Sequence, residues 1–166
     1  MITLGIDPGT AITGYGLINE EQDGSLTVVD YGVIRTKSDE SQAERLVQLY
    51  HKIKNLILLH HPITGAVEKL FFERNVRTAI HVGEARGVAL LAMAEQNLPI
   101  GEYTPLEVKQ AVAGYGAAEK SQVQQMVRAL LCLESIPQPD DAADALAVAI
   151  CHIHSQKILR LYDQSR

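Results

Sequence analysis

Residues 2–34 read ITLGIDPGTAITGYGLINEEQDGSLTVVDYGVI. Residues 2–6 alternate apolar with small or polar side chains, the period of a strand, until Asp7-Pro8-Gly9 stops them. Residues 14–18 form a second strand and the acidic segment 19–24 a turn. Residues 26–34 return as a third strand, so the stretch predicts an antiparallel meander.

Downstream the period changes. Ser41 and Glu44 have the spacing of a capping box, and Leu46, Leu49, Tyr50, Ile53 and Ile57 follow at helical steps, ending at His60, His61 and Pro62. A short strand over 65–70, a long helix rich in Ala, Val and Leu over 78–97 and a brief strand over 100–103 come next. Thr104 and Glu107 make a second capping box, with Pro105 at the first helical position, where its missing N–H costs nothing. That helix ends near Gly114, another covers about 119–133, and the last runs from Asp140 to about His154. Three consecutive strands followed by alternating helix and strand predict an α/β fold, a mixed five-stranded sheet flanked by helices on both faces. One domain over 1–166 is expected, with residues after about 156 a frayed tail.

Composition narrows the class. Hydrophobic residues at 46% and charged residues at 21% of 166 are ordinary for a globular chain and exclude a disordered, collagen-like or fibrous protein. The longest apolar run, 87–94, falls far short of the ~20 residues that cross a bilayer, so no membrane partner is expected. The start of the chain lacks the basic segment of an export signal, which predicts a cytoplasmic protein. Cys132 and Cys151 are too few for a disulfide framework. The net charge of −5 argues mildly against a nucleic-acid partner. However, residues 1–34 hold five acids and no Lys or Arg, while 35–128 hold twelve bases against ten acids. Bulk charge therefore does not decide the partner.

Four acids stand out by position. Asp7 closes the first strand, kept out of the helical region by Pro8 beside a Gly9 that allows a sharp turn. Glu68 is a charge inside the apolar strand Ala-Val-Glu-Lys-Leu, costly unless paired or metal-bound. Asp141 and Asp144 share one face of a helix that is apolar on every side. The plainer reading, acids favoured by the dipole at a helix start, covers Asp140 and Asp141 but fits Asp144 poorly. Carboxylates gathered together resist ionising, and oxygen-only ligation favours Mg²⁺ or Mn²⁺. Two such ions can activate water and stabilise the leaving oxygen of a phosphodiester. No P-loop motif competes. Cys151-His152-Ile153-His154 fits no common zinc spacing and reads as helix-end packing.

Gly-Ile-Asp7-Pro-Gly, Val-Glu68 with Phe71-Phe72, Val-Lys109-Gln-Ala-Val-Ala-Gly, Glu-Lys120-Ser-Gln-Val-Gln and Asp141-Ala-Ala-Asp144-Ala-Leu-Ala together resemble a RuvC-type Holliday-junction resolvase, a crossover junction endodeoxyribonuclease. The first motif alone is shared with actin-like ATPases, but the full set spans nearly the whole chain in order. The resemblance implies a ribonuclease-H-like fold. It implies a homodimer that nicks two strands of like polarity at a four-way DNA junction, with two Mg²⁺ per site (Mn²⁺ substituting) and a RuvAB-type branch-migration complex as partner. It makes Asp7, Glu68, Asp141 and Asp144 the metal-binding catalytic acids. Lys109 and Lys120 serve the DNA backbone near the site, Lys120 also in catalysis, and Phe71 stacks at the junction centre. Asp140 matches no catalytic position and is expected to cap its helix.

By the residues alone, Lys109 and Lys120 equally read as solvated helix charges. Of Phe71 and Phe72, strand alternation turns one to the core and leaves the other to stack on an exposed base, worth ~1–3 kcal/mol, and which is which stays open. Arg74, Asn75 and Arg77 are expected near phosphates. Helix 78–97 is the candidate dimer helix, with Ala89 and Ala92 on the face assigned to the partner. The competing readings are a ribonuclease-H-like nuclease for hybrids or linear duplexes, an actin-like nucleotide-binding module, and a junction-binding protein without catalysis.

Overall fold

The computed structural model describes residues 1–69 and 76–164, with the side chains of all but 76, 77, 163 and 164. Its strands are β1 (Ile2–Asp7), β2 (Ile12–Glu20), β3 (Leu26–Arg35), β4 (Thr64–Glu68) and β5 (Ile100–Tyr103). Its helices are α1 (Gln42–His60), α2 (Val76–Glu95), α3 (Pro105–Ala113), α4 (Lys120–Leu130) and α5 (Asp140–Gln164). The sheet order is β3-β2-β1-β4-β5. The β1–β2 and β2–β3 pairs are antiparallel, as the meander predicts, and β4 and β5 join parallel to β1. This is the mixed five-stranded, ribonuclease-H-like sheet expected above.

Both capping boxes form, and each fixes where its helix starts. Ser41 Oγ accepts from the Glu44 N–H, and Thr104 Oγ1 from the Glu107 N–H, while each Glu carboxylate accepts from the cap residue's N–H. The sheet's two faces carry separate cores. On one, Leu4, Ile6, Leu17 and Val67 meet Leu49, Ile53 and Ile57 of α1 and Ala85, Ala89, Ala92 and Met93 of α2. On the other, α5 lies across all five strands, and α3 and α4 pack over α5. Ile18 and Ala66 meet Leu146 and Ile150 there, backed by Val108, Val112, Val123 and Val127. Each fully buried Leu or Ile side chain contributes on the order of 1.5–3 kcal/mol.

Three expectations need correction. α5 does not end near His154 but is helical through Gln164. Lys157 and Arg160 pair with Glu20 at 3.2 and 3.8 Å, and Lys157 donates to the Gly24 carbonyl at 3.0 Å, which ties these turns to the β2–β3 hairpin. Cys151, His152 and His154 are therefore mid-helix. His152 is buried between Thr64 Oγ1 at 2.8 Å and the Tyr103 hydroxyl at 2.9 Å. Ala89 and Ala92 are fully buried against the sheet, so they belong to the core and not to a dimer face. The outward side of α2 instead shows Ile80 and Leu91, 56% and 60% exposed.

α5 approaches the sheet where β1 and β2 lack side chains. A Cβ on Gly5 would overlap the Ala145 carbonyl oxygen, and one on Gly14 the Asp141 carbonyl oxygen. Forcing atoms into a packed contact costs about 1–3 kcal/mol, and for a chain of this size each kcal/mol is about 2–4 °C of melting temperature. Gly14→Ala is accordingly expected to melt several degrees below the wild type. An unchanged melt would show that α5 shifts freely from the sheet.

Candidate functional site

The acids singled out from the sequence lie on three elements that meet at one end of the sheet. Asp7 is the last residue of β1 and Glu68 the last of β4, next to each other in the parallel pairing that ends at Ile6–Val67. Asp141 and Asp144 occupy the first turns of α5, brought over β1 and β2 by the contact at Gly14. The carboxyl ends of strands in α/β sheets are the usual place for a site.

Neighbouring carboxylates act on Asp7, Glu68 and Asp144. The Asp7 carboxyl is pushed up to about 8, first by burial and then by the charges of Glu68, Asp144 and Asp141, against the pull of Lys120. Glu68 is raised to about 7, again by burial first and then by Asp144, with Lys109 and Lys120 opposing. Burial also raises Asp144, against its hydrogen bond with Lys120. That bond is 2.9 Å from Lys120 Nζ to Asp144 Oδ2. Burial works to lower the Lys120 ammonium, but Asp144 and Asp140 outweigh it and hold it above the ordinary lysine value.

Glu68, Lys109, Lys120 and Asp144 line one cleft of about 400 Å³, floored by Pro105, Val108, Val123 and Ala147. Lys120 thus contacts Asp144 directly, and Lys109 shares the cleft with Glu68. Asp140 does not cap α5. It is that helix's first residue, and its carboxylate lies 3.4 Å from Lys120. Phe71, Phe72, Arg74 and Asn75 lie outside the described residues, as does the side chain of Arg77.

Among the described residues, no three Asp, Glu, His or Cys side chains already enclose a position for a metal ion. The donor set nevertheless fits a hard divalent cation: it consists of oxygens alone, and the neighbouring carboxylates push Asp7 and Glu68 up. Anionic density so poorly compensated is relieved by cation charge.

One residue that sequence reasoning missed stands at this site. Arg86 of α2 donates from Nε to the Glu68 backbone carbonyl at 3.3 Å and pairs with Glu102 of β5. Its only sequence signal is a charge within an Ala- and Val-rich helix.

A carboxyl whose folded pKa lies above its unfolded value favours folding at low pH and loses that contribution as pH rises through the folded value. For Asp7 the loss starts above its ordinary value of 3.8 and levels off above about 8. In chelator, Asp7→Asn should therefore melt above the wild type by a margin that widens from pH 5 to pH 8.5, and saturating Mg²⁺ should close the gap. A constant margin, measured by thermal melts across that range, would contradict the coupling.

Comparison with known proteins identifies the family. The family model described as crossover junction endodeoxyribonuclease RuvC matches residues 3–152. A crossover junction endodeoxyribonuclease RuvC of Desulfitobacterium hafniense (strain DSM 10664 / DCB-2) is 61% identical over 159 residues, covering 96% of each chain. The Thermus thermophilus RuvC structure superposes with a TM-score of 0.89 at 36% identity, covering 95% of this chain and 96% of that one. T. thermophilus RuvC in complex with a Holliday junction substrate gives 0.87 at 33% identity, with the same coverage. With a family match over residues 3–152 and a relative 61% identical along nearly its whole length, this chain belongs to the RuvC family of crossover junction endodeoxyribonucleases.

Proposed function

We propose that this chain resolves four-way (Holliday) DNA junctions by paired symmetric nicks in strands of like polarity, through two-metal phosphodiester hydrolysis, in homologous recombination and DNA repair. The observation that carries the reading is the meeting of Asp7, Glu68, Asp141 and Asp144 at one sheet end with their charges coupled. The junction-bound Thermus relative, alike over 95% of this chain, supports the substrate class.

The four acids would hold two Mg²⁺, with Mn²⁺ able to substitute. Such ions supply an activated water and stabilise the leaving oxygen of the phosphodiester. The chain's own residues do the rest. Near neutrality Asp7 is mostly and Glu68 about half protonated in these surroundings, and both would bind a cation as carboxylates, releasing those protons. Lys120, held on Asp144 at 2.9 Å, is placed to meet charge developing on a phosphate. Lys109, across the cleft beside Glu68, meets the backbone as a point charge. Phe71 or Phe72 stacks at the junction centre, with Arg74, Asn75 and Arg77 on nearby phosphates. With a net charge of −5, affinity rests on this local basic surface and falls steeply with salt.

A junction has approximate two-fold symmetry, and paired nicks call for a homodimer. The exposed Ile80 and Leu91 make α2 its candidate interface. The working partner is a RuvAB-type branch-migration complex in the cytoplasm. No helix of the described residues is long and apolar enough to cross a membrane.

Two outcomes test this reading. In Mg²⁺ the protein should nick a synthetic four-way junction symmetrically and spare linear duplex. Asp7→Asn should cut at least about 10²-fold more slowly, because it removes a ligand of the cations that would meet the developing charge, while still binding the junction. Binding without nicks in Mg²⁺ and Mn²⁺ would make the chain a binding module, and a misfolded Asp7→Asn would make that acid structural. In light scattering, Leu91→Glu should halve the mass without lowering helicity, and an unchanged mass would remove α2 from the interface.

A further inference from the structure

We propose that Arg86 is a positioning residue for the acid centre: from α2 it fixes the end of β4, and through it the Glu68 carboxylate. The inference rests on the cation-binding reading above. β4 is short, and its pairing with β1 ends one residue before Glu68, at Val67. Beyond that point, among the described residues, the strand is held by a bond on each side. On the β5 side the Lys69 N–H donates to the Tyr103 carbonyl at 2.7 Å. On the other, Arg86 Nε donates to the Glu68 carbonyl itself at 3.3 Å.

The guanidinium is not free to swing. Its terminal nitrogen pairs with Glu102, the residue opposite Val67 on β5, and the side chain is only 21% exposed. One planar fork thus spans the ends of β4 and β5 from a helix seated by Ala85 and Ala89 in the core. A lysine could keep the pair with Glu102 but lacks the fixed fork that also reaches the carbonyl. Partners that orient a ligand are commonly worth about 10- to 100-fold in metal affinity.

The test is Mn²⁺ titration by calorimetry of the full chain without DNA, as a double-mutant cycle with Glu68→Gln. Arg86→Met should weaken Mn²⁺ binding by about 10- to 100-fold in the wild-type background. In the Glu68→Gln background it should change binding by less than about two-fold, since the group it positions is already lost. Losses of equal size in both backgrounds would overturn the proposal and leave Arg86 a general packing residue. If Arg86→Met does not fold, Arg86→Lys takes its place, and wild-type Mn²⁺ affinity in that variant would equally overturn it. Junction cleavage by the wild type, scored separately, tells failure of the functional reading from failure of this one.

Discussion

The backbone of α5 lies directly on the backbone of β1 and β2, and the site depends on that contact. Helices usually rest on sheets through a layer of side chains, which would hold Asp141 and Asp144 well above the strand ends. Here Gly5 and Gly14 remove that layer, and their missing Cβ atoms leave the space that carbonyls of α5 occupy. The first turns of the helix then reach the level of Asp7. The same closeness explains why α5 is apolar on every side: the sheet covers one face, and α3 and α4 cover the other.

Bringing these acids together works against folding. Burial and mutual repulsion raise Asp7 and Glu68 to about 8 and 7, a sign that their charged forms are poorly served by the protein alone. Lys120 offsets part of this at Asp144, and Lys109 part of it at Glu68. Two lysines facing four carboxylates leave the cluster short of positive charge, and a rigid scaffold keeps it from relaxing by spreading apart. A centre of this kind favours cations because the fold has already done the unfavourable work of assembling it.

Much of this was legible in the sequence because the relevant signals are local. The meander shows in residues 2–34, the caps in Ser41–Glu44 and Thr104–Glu107, and the acids as charges inside apolar runs. What was not legible depends on contacts between distant residues. The ten residues of α5 beyond His154 look polar and frayed until Glu20 and Gly24 are brought beside Lys157 and Arg160. Ala89 and Ala92 cannot be sorted from an outer face by composition, since α2 is small and apolar on several sides. Asp140 has the composition of a cap but enters the helix, where Lys120 gives its charge a partner. Arg86 is the extreme case, for a bond to a backbone carbonyl leaves no trace in the identity of the residue accepting it.

α2 sits where three of these constraints meet. Its inner row, Ala85, Ala89, Ala92 and Met93, is locked in the core, its outer row shows Ile80 and Leu91 to solvent, and Arg86 points sideways to Glu68 and Glu102. The alanines of the inner row share a core with α1 and the sheet, and from the same helix Arg86 reaches the ends of both β4 and β5. α2 thus holds β4 in two ways, through core contacts along the strand and through Arg86 at the carbonyl of its last residue.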